Sequence, residues 1–361
     1  MSTTSSTTAT KPSTLIPTSS TRLSAGCQQI VHEDFTDLSR ATVTVRSTLA
    51  DPDLWPQIEN HKCHNVALTP SGLYADMAST VAGYIWRAWR GADATLPGLE
   101  VRDLQVDKTL IAHIPQTGRE QYFEMECTLA IPPHSSADII DGTVHCIFRE
   151  TSATGTKLHD LAHCTVSYAF TYGWQADWAH FTPAIRSKIH NLHSRAQRES
   201  SGAIHLVHQQ RAYELFASFV AYGPKYRNMS RVVYDTETLE ATATLDFQPD
   251  SQRDYVGPYY LDGSCHLSGF VCNTLIDAAK WAYISHGIGA MKMTPDFDPT
   301  TPGARIENYV RMQPLPGDET VMCGDVWVLQ DGEIVGLWEG VKFKRIPRRV
   351  LNVFLPQPKN Q

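Results

Sequence analysis

The sequence predicts an α+β protein made of two similar halves joined by a polar helix. In each half, a strand of alternating apolar and polar residues precedes a long apolar helix, and further strands follow that helix. Between the halves, apolar residues recur at helical spacing among charged and amide side chains over residues 174–200. Helices inserted twice into runs of antiparallel strands indicate helices wrapped by curved sheets.

The first half is assigned to residues 25–173. Its helix begins at Pro70 and Ser71, carries apolar residues at every fourth position and ends near Gly91. The segment before this helix and several segments after it show the two-residue alternation of half-buried strands. The expected strands lie at residues 41–49, 99–113, 123–131, 142–149 and 158–170.

The second half is assigned to residues 201–355 and repeats this order of elements. An alternating strand precedes a glycine-containing apolar helix that follows Asp262. The apolar positions of this helix are Leu267, Val271, Leu275 and Ala278. The expected strands lie at residues 239–247, 304–313, 319–330 and 333–345.

The two ends of the chain are expected to lie outside the folded halves. Residues 1–24 are rich in serine and threonine and include Pro12 and Pro17, so they bury too little apolar surface to offset their chain entropy. We interpret them as a disordered linker between domains. Residues 356–361 are assigned to a short C-terminal tail.

The composition restricts the class of protein. The 361 residues carry a formal net charge of -7, which gives the whole chain no electrostatic reason to bind nucleic acid. No apolar stretch is long enough to cross a membrane, and the chain lacks the apolar core of a secretory signal. The eight cysteines include no CxxC pair, so neither a zinc ribbon nor a disulfide framework is predicted. A cytoplasmic location with reduced thiols is expected.

A histidine in the loop before the first helix is the first candidate for chemistry. His61 opens the segment HKCHNVALTPSG, which leads into the helix at Pro70 and places the imidazole at the mouth of a cavity. A lone histidine in such a loop is more often a surface or capping residue than a catalytic one. The second half provides the reason to consider catalysis.

Asp262 occupies the equivalent position at the start of the second helix, in the segment YLDGSCHLSGF. If the halves pack side by side, the two helix starts meet, and Asp262 can hydrogen-bond one nitrogen of His61 while the other acts as a general base. Taken alone, an aspartate at a helix start is more often an ordinary N-cap.

Three spaced motifs resemble those of the dehydratase domains of polyketide and fatty-acid synthases. His61, Asn65 and Pro70 match the family pattern HxxxGxxxxP, with asparagine in place of glycine. Asp262 and His266 match DxxxQ/H, and residues 222–226 (YGPKY) resemble YGPxF. The resemblance implies a double hot dog fold, in which two helix-in-sheet units donate one His and one Asp to a shared site.

Further motifs make the resemblance narrower. The segments PSGLYAD at 70–76, CHLSGF at 265–270 and RIPRRVL at 345–351 resemble product template domains of fungal non-reducing polyketide synthases. This likeness covers nearly all of residues 25–355. His64 and Asn65 depart from the usual Asn-Gly pair, which bears on the shape of the loop.

The resemblance implies a cyclase and aromatase that needs no cofactor. His61 would remove a proton from a linear poly-β-keto chain, Asp262 would orient and stabilise the imidazole, and the enolate would close the first ring. Asn65, Pro70, Ser71 and His266 are the expected substrate-binding residues. The chain would arrive as a thioester on the phosphopantetheine arm of an acyl carrier protein, so the implied partners are that protein and other domains of the same synthase, and a homodimer is compatible with the family.

Two further clusters of residues could have a function. Five potential metal ligands occur near the candidate pair, but their spacing matches no dense ligand motif, and no metal is predicted. They are His61, Cys63, His64, Asp262 and His266. A basic run near the C-terminus is either a solvated strand end or a docking surface for an acidic carrier protein. It contains Lys342, Lys344, Arg345, Arg348 and Arg349.

Two other functions remain open from the sequence. A dehydratase acting on a β-hydroxyacyl thioester would use the same His61 and Asp262. A docking scaffold that has lost its chemistry would not need to retain both residues, so their presence argues against it. The regiochemistry of ring closure, the polyketide length and the starter unit depend on pocket depth and on other domains.

Overall fold

A computed structural model describes most of the chain. The described residues are 21–113, 120–132, 141–198, 202–248, 257–299 and 301–356. Nearly all of the predicted linker and tail therefore lies outside the described residues. Residues 21–24, assigned to the linker, instead contact the fold: Arg22 pairs with Asp51, and the Ser24 side chain is buried.

Seventeen strands and six helices lie in the described part of the chain. The helices are α1 (Trp55–Glu59), α2 (Ser71–Arg90), α3 (Thr171–Arg198), α4 (Gln209–Phe216), α5 (Pro258–Leu275) and α6 (Leu351–Phe354). The strands before α3 are β1 (Gln29–Asp34), β2 (Thr42–Thr48), β3 (His61–Cys63), β4 (Val66–Ala67), β5 (Gly98–Val106), β6 (Tyr122–Ala130), β7 (Thr143–Thr151) and β8 (Lys157–Ala169). Those after it are β9 (Ile204–His208), β10 (Val220–Tyr222), β11 (Met229–Asp235), β12 (Glu240–Leu245), β13 (Trp281–Met293), β14 (Ile306–Arg311), β15 (Gln313–Leu315), β16 (Asp318–Gln330) and β17 (Glu333–Pro347).

One long antiparallel sheet runs through both halves. Its strand order is β1-β2-β6-β7-β8-β5-β13-β17-β16-β14-β12-β11-β9, and β15 pairs with β16. The first six strands come from the first half and the remaining strands from the second. Each half packs one long apolar helix, α2 or α5, against its own part of the sheet. The structure is therefore α+β with two helix-in-sheet units, as predicted.

The alternation of strand residues sets which face of the sheet meets the core. In β2 the valines are fully buried and the intervening threonines are half-exposed, and β6 shows the same pattern. Apolar residues of α2 pack onto this inner face, and Val81 and Ile85 are fully buried. The core is held together by this burial of one sheet face and one helix stripe.

Two strand pairings join the halves. In the long sheet β5 pairs with β13, with Val101 opposite Met291. A separate three-stranded sheet has the order β10-β3-β4, and here Tyr222 of the second half pairs with His61 of the first. Because β3 carries His61, this second pairing fixes the position of the candidate base relative to the second half.

The two core helices touch at a glycine. A Cβ atom placed on Gly72 would lie 2.7 Å from Cβ and 2.8 Å from the backbone nitrogen of Asp262. No real side chain fits there, so glycine allows the first turn of α2 to approach α5. This close approach brings the two predicted catalytic residues to one place.

The structure contains elements that the sequence did not predict, among them β1, β9, β11 and β13, and one predicted helix has different bounds. Strand β13, at the junction of the halves, was not predicted, because a bulge between Ser285 and Gly287 interrupts its alternation. Helix α5 begins at Pro258, four residues before Asp262, and ends at Leu275, so Ala278 lies beyond it. Asp262 is therefore inside the helix, and the N-cap position belongs to Gly257.

Replacing Gly72 with alanine should destabilise the protein. The added methyl group has to push α2 away from the backbone of α5, which costs about 1–3 kcal/mol in a packed core. Gly83→Ala in the same helix is the matched control, because its Cβ meets Leu96 at an ordinary 3.4 Å and helix propensity favours alanine by up to about 1 kcal/mol. Urea unfolding should show a loss for Gly72→Ala only. Equal changes in both variants would contradict the close approach.

Candidate active site

A largely apolar cavity lies where the two halves meet. It encloses about 870 Å³ of empty space, its open mouth included. Side chains from both core helices, from β13 and β17 and from the segment around β10 line it. Its polar groups include His61, Asp262 and His266. The structure thus brings together the two residues that the sequence placed some 200 positions apart.

His61 is positioned by a tight hairpin. Strands β3 and β4 pair through Cys63 and Val66, and the two residues between them, His64 and Asn65, have φ values of 50° and 62°. Positive φ at both central residues is the requirement of a type I′ turn, for which Asn and Gly are the preferred residues. Asn65 can therefore replace the family's glycine and keep the turn.

A backbone carbonyl determines the tautomer of His61. The Nδ1 atom of the imidazole lies 3.2 Å from the carbonyl oxygen of Leu68. A carbonyl only accepts, so Nδ1 carries the proton and, in the neutral ring, Nε2 carries the lone pair. The nitrogen that can take a proton from a substrate thus faces Asp262.

Asp262 is held by both halves of the protein. Its Oδ1 atom accepts a hydrogen bond of 3.3 Å from the backbone N–H of Gly72, in the first turn of α2. The N-cap residue of α2 is Pro70, whose side chain makes no capping bond. The carboxylate from α5 therefore supplies the cap, and the partial positive charge of the helix start favours its ionised form.

His266 supports the carboxylate from one turn further along α5. Its Nε2–H donates to Oδ2 of Asp262 over 2.7 Å, and its ring stacks on Tyr222 with centroids 4.3 Å apart. Tyr222 also packs against His61, at 5.1 Å between centroids. The tyrosine of the YGPKY segment therefore separates and fixes the two imidazoles.

The predicted hydrogen bond between Asp262 and His61 is not present. Nε2 of His61 and Oδ2 of Asp262 lie 3.6 Å apart, which is beyond hydrogen-bond distance. Asp262 instead accepts its bonds from Gly72 and His266, and Leu68 holds the imidazole. The unprotonated nitrogen and the carboxylate therefore face each other across a small gap, close enough for the carboxylate to stabilise an imidazolium.

Burial and these contacts shift both pKa values downward. Burial lowers the pKa of His61 and outweighs the opposing effect of Asp262. Burial alone would raise the pKa of Asp262, but the hydrogen bond and charge of His266, the charge of His61 and the Gly72 N–H together hold it below its ordinary value. At neutral pH the site thus combines a neutral imidazole with an ionised carboxylate.

The other predicted site residues fall into two groups. Pro70, Ser71 and His266 line the cavity, and the hydroxyl of Ser71 lies 3.2 Å from that of Ser285. Asn65 does not line it. Its side chain is exposed in the turn, so its contribution is the left-handed backbone and not contact with a substrate.

Three contributors were not predicted from the sequence as site residues. Tyr222 could have been found from the sequence, since it belongs to the YGPKY motif that resembles the YGPxF segment of dehydratase domains. Ser285 and the carbonyl of Leu68 had none, because one belongs to an unpredicted strand and the other is a backbone atom. In the described part of the chain, no three His, Cys, Asp or Glu side chains are grouped so as to hold a metal ion.

Comparison with known proteins places the chain in a family. Residues 192–352 match the family model described as polyketide synthase dehydratase N-terminal domain. The chain is 42% identical over 342 residues to the non-reducing polyketide synthase PKS1 of Zymoseptoria tritici, covering 94% of this chain and 15% of that protein. It is 38% identical over 335 residues to the non-reducing polyketide synthase Preu8 of Preussia isomera, covering 91% of this chain and 15% of that protein.

Solved structures show the same fold at low sequence identity. The dehydratase domain of RzxB from Pseudomonas fluorescens has a TM-score of 0.61 at 15% identity, covering 90% of this chain and all (100%) of that one. The dehydratase domain from the CurF module of curacin polyketide synthase has a TM-score of 0.60 at 10% identity, covering 89% and 99%. The predicted double hot dog fold is confirmed.

The fold is that of the dehydratase-like double hot dog class. Within that class, the chain belongs to the product template domains of fungal non-reducing polyketide synthases, which confirms the family predicted from the motifs. The chain spans about 15% of the length of these relatives. None of its described helices is long and apolar enough to cross a membrane.

Replacing Asn65 with glycine should leave the activity within about twofold of that of the unaltered protein, because glycine adopts the same positive φ. Asn65→Val should lower both activity and thermal stability, since a β-branched residue is strained at φ 62° and the turn positions His61. Both variants are to be compared by thermal unfolding and by turnover of a small thioester mimic. A large loss with glycine would show that the Asn65 side chain itself contacts the substrate.

Proposed function

We propose that this domain catalyses the regioselective aldol cyclisation and aromatisation of a linear poly-β-keto chain. The single observation that carries the proposal is the facing pair of a neutral imidazole and an ionised carboxylate, 3.6 Å apart, in a largely apolar cavity. Two solved CurK dehydratases support a role for such residues, since one with an aspartate-to-asparagine change and one with a histidine-to-phenylalanine change are both described as inactive.

The first step is removal of a proton from carbon. A methylene between two carbonyls is acidic enough for the lone pair on Nε2 of His61 to accept its proton, and the electrons move into an enolate. Asp262 then stabilises the imidazolium, whose charge it faces. The Leu68 carbonyl keeps Nδ1 protonated throughout, so the same nitrogen accepts and later returns the proton.

The enolate then closes the ring. Its carbon forms a bond with a carbonyl carbon further along the same chain, and the carbonyl oxygen takes the proton back from His61 Nε2. Loss of that hydroxyl as water, together with a proton from the neighbouring carbon, gives the double bond that leads to an aromatic ring. These steps exchange only protons and water, so we propose that no metal or redox cofactor is needed.

Selectivity is assigned to the shape of the cavity. Several ring closures compete in a free poly-β-keto chain, and holding it in one near-attack arrangement makes one of them fast. Aromatic and aliphatic residues form most of the wall, among them Phe216, Phe219, Phe343 and Leu355. They offer little hydrogen bonding, so the chain is bent by contact and not by polar anchoring.

We propose that an acyl carrier protein of the same synthase delivers the chain on its phosphopantetheine arm, in the cytoplasm. The basic run supports docking of a carrier protein less strongly than the sequence indicated. Arg348 donates to the backbone carbonyls of Trp281 and Ser218, and Arg345 lies over the Trp281 ring at 4.5 Å. Only Lys344 and Arg349 of the run are exposed, so these two are the candidates for contact with an acidic partner.

Dehydration of a β-hydroxyacyl thioester is the second candidate, because the family model that matches residues 192–352 is a dehydratase model. The same pair would remove the α-proton and assist loss of the hydroxyl. Assaying the domain with both a poly-β-keto and a β-hydroxyacyl thioester separates the two functions. Turnover of the second alone would replace the cyclase proposal.

His61 and Asp262 should act as one catalytic unit. His61→Ala and Asp262→Asn are each expected to lower formation of the correctly cyclised product roughly 10²–10⁴-fold, leaving a mixture of spontaneous products. The double variant should be scarcely worse than His61→Ala alone, since the carboxylate acts on the imidazolium. Product identification after reconstitution with a synthase lacking this domain measures the effect.

The exposed His145 provides a control, because His145→Ala should retain full activity. Circular dichroism is expected to show that all variants remain folded. Multiplicative losses in the double variant would mean that His61 and Asp262 act independently.

The rate of catalysis should fall on the acidic side only at pH values below neutrality. His61 acts when neutral, and burial lowers its pKa from the ordinary 6.5, so kcat/KM is retained until the pH falls through this lowered value. Asp262 stays ionised over the same range because its pKa lies below 3.8. Initial rates with a small soluble thioester mimic test this expectation. An acidic limb with a midpoint above about pH 7 would contradict the lowered pKa.

A further inference from the structure

The last described residues of the chain fold back onto the cavity. Residues 348–355, called here the C-terminal hook, form a helical turn followed by α6. Leu351 and Leu355 are buried at 1% and 2% exposure, whereas Val353 and Phe354 are exposed at 77% and 55%. The hook therefore has an inner and an outer face, and Leu355 on the inner face lines the cavity.

Arg348 fastens the hook to two other segments of the cavity wall. Its side chain donates to the carbonyl of Ser218 over 2.7 Å and to that of Trp281 over 3.1 Å, and also to that of Ala278. Ser218 directly precedes the wall residues Phe219 and Val220, and Trp281 opens the strand that carries Tyr283 and Ile284. One guanidinium thus ties together three segments that form the same cavity.

The cavity extends along α5 away from the catalytic pair. Asp262, His266, Gly269 and Asn273 all line it, and they occupy successive turns of one helix face. This spans about 16 Å at 1.5 Å per residue. At Gly269 the wall opposite the helix is aromatic, since an added Cβ would meet the ring of Phe216 at 3.3 Å and that of Phe343 at 3.4 Å.

We propose that the C-terminal hook is a wall of the substrate cavity and that Leu355 is a specificity-determining residue that limits the length of chain the cavity accepts. The inference rests on the proposed function in one respect, namely that the cavity holds an acyl chain. Leu355 contributes apolar contact and volume but no chemistry. Its removal changes which chains fit, while the His61–Asp262 pair keeps its geometry.

Binding of unreactive substrate mimics tests the wall directly. The probes are S-alkyl pantetheine thioethers with linear chains of increasing length, which have no thioester to react. Isothermal titration calorimetry gives the chain length of tightest binding. Leu355→Ala should move this optimum to chains about two to three methylenes longer, with roughly 15- to 60-fold tighter binding of those chains than in the unaltered protein.

Two other variants make the test specific. Gly269→Ala should move the optimum in the opposite direction, by about one methylene, because its methyl group narrows the space between Phe216 and Phe343. Val353→Ala, on the outer face of the same hook, should leave the optimum unchanged. Should Leu355→Ala fail to fold, Leu355→Val takes its place, because it removes only one methylene and should lengthen the optimum by about one methylene.

Each outcome has a definite meaning. Opposite shifts for Leu355→Ala and Gly269→Ala, with none for Val353→Ala, support the proposal. An unchanged optimum in Leu355→Ala, or in Leu355→Val where that variant replaces it, overturns the hook as a wall and leaves the cyclase proposal standing. Absence of binding at every chain length in the unaltered protein would overturn the acyl-chain substrate itself.

Discussion

The carboxylate of Asp262 is the point on which the structure of the site depends. It belongs to α5 but caps the start of α2, so one side chain joins the two halves and defines the cavity between them. A buried carboxylate costs several kcal/mol in lost hydration. The Gly72 N–H, the His266 ring and the start of α2 offset this cost. Residue 72 therefore serves twice, through its backbone N–H as donor and, because it is glycine, as the position where no side chain intervenes.

The sequence predicted the fold and the catalytic pair better than it predicted the hydrogen bonds that hold the pair in place. The α+β plan followed from the periodicity of strands and helices, and the resemblance to the dehydratase motifs identified His61 and Asp262 as the facing pair. The hydrogen-bond partner of His61 did not follow, since any carbonyl within reach can hold an imidazole and Leu68 has no sequence signal. Strand β13 was missed because its bulge at Ser285 breaks the alternation by which buried strands are recognised.

The charge of the basic run did not predict what its arginines do in the structure. Arg348 and Arg345 look alike in the sequence and both belong to a basic run, yet one binds backbone carbonyls and the other covers a tryptophan ring. A guanidinium has five donors in a planar fork, so it is as suited to fastening loops as to meeting an acidic partner. Sequence reports the charge at such positions, and only the surrounding carbonyls show how it is used.

The pairing of β3 with β10 determines how the site is divided between the two halves. His61 stands in the first half opposite Tyr222 of the second, and Asp262 comes from the second half to the helix of the first. Neither half therefore contains a complete set of reacting groups. In a chain built from two similar units, this is a division of labour: the first unit contributes the base and the second contributes the carboxylate that faces it, so neither unit could act without the other.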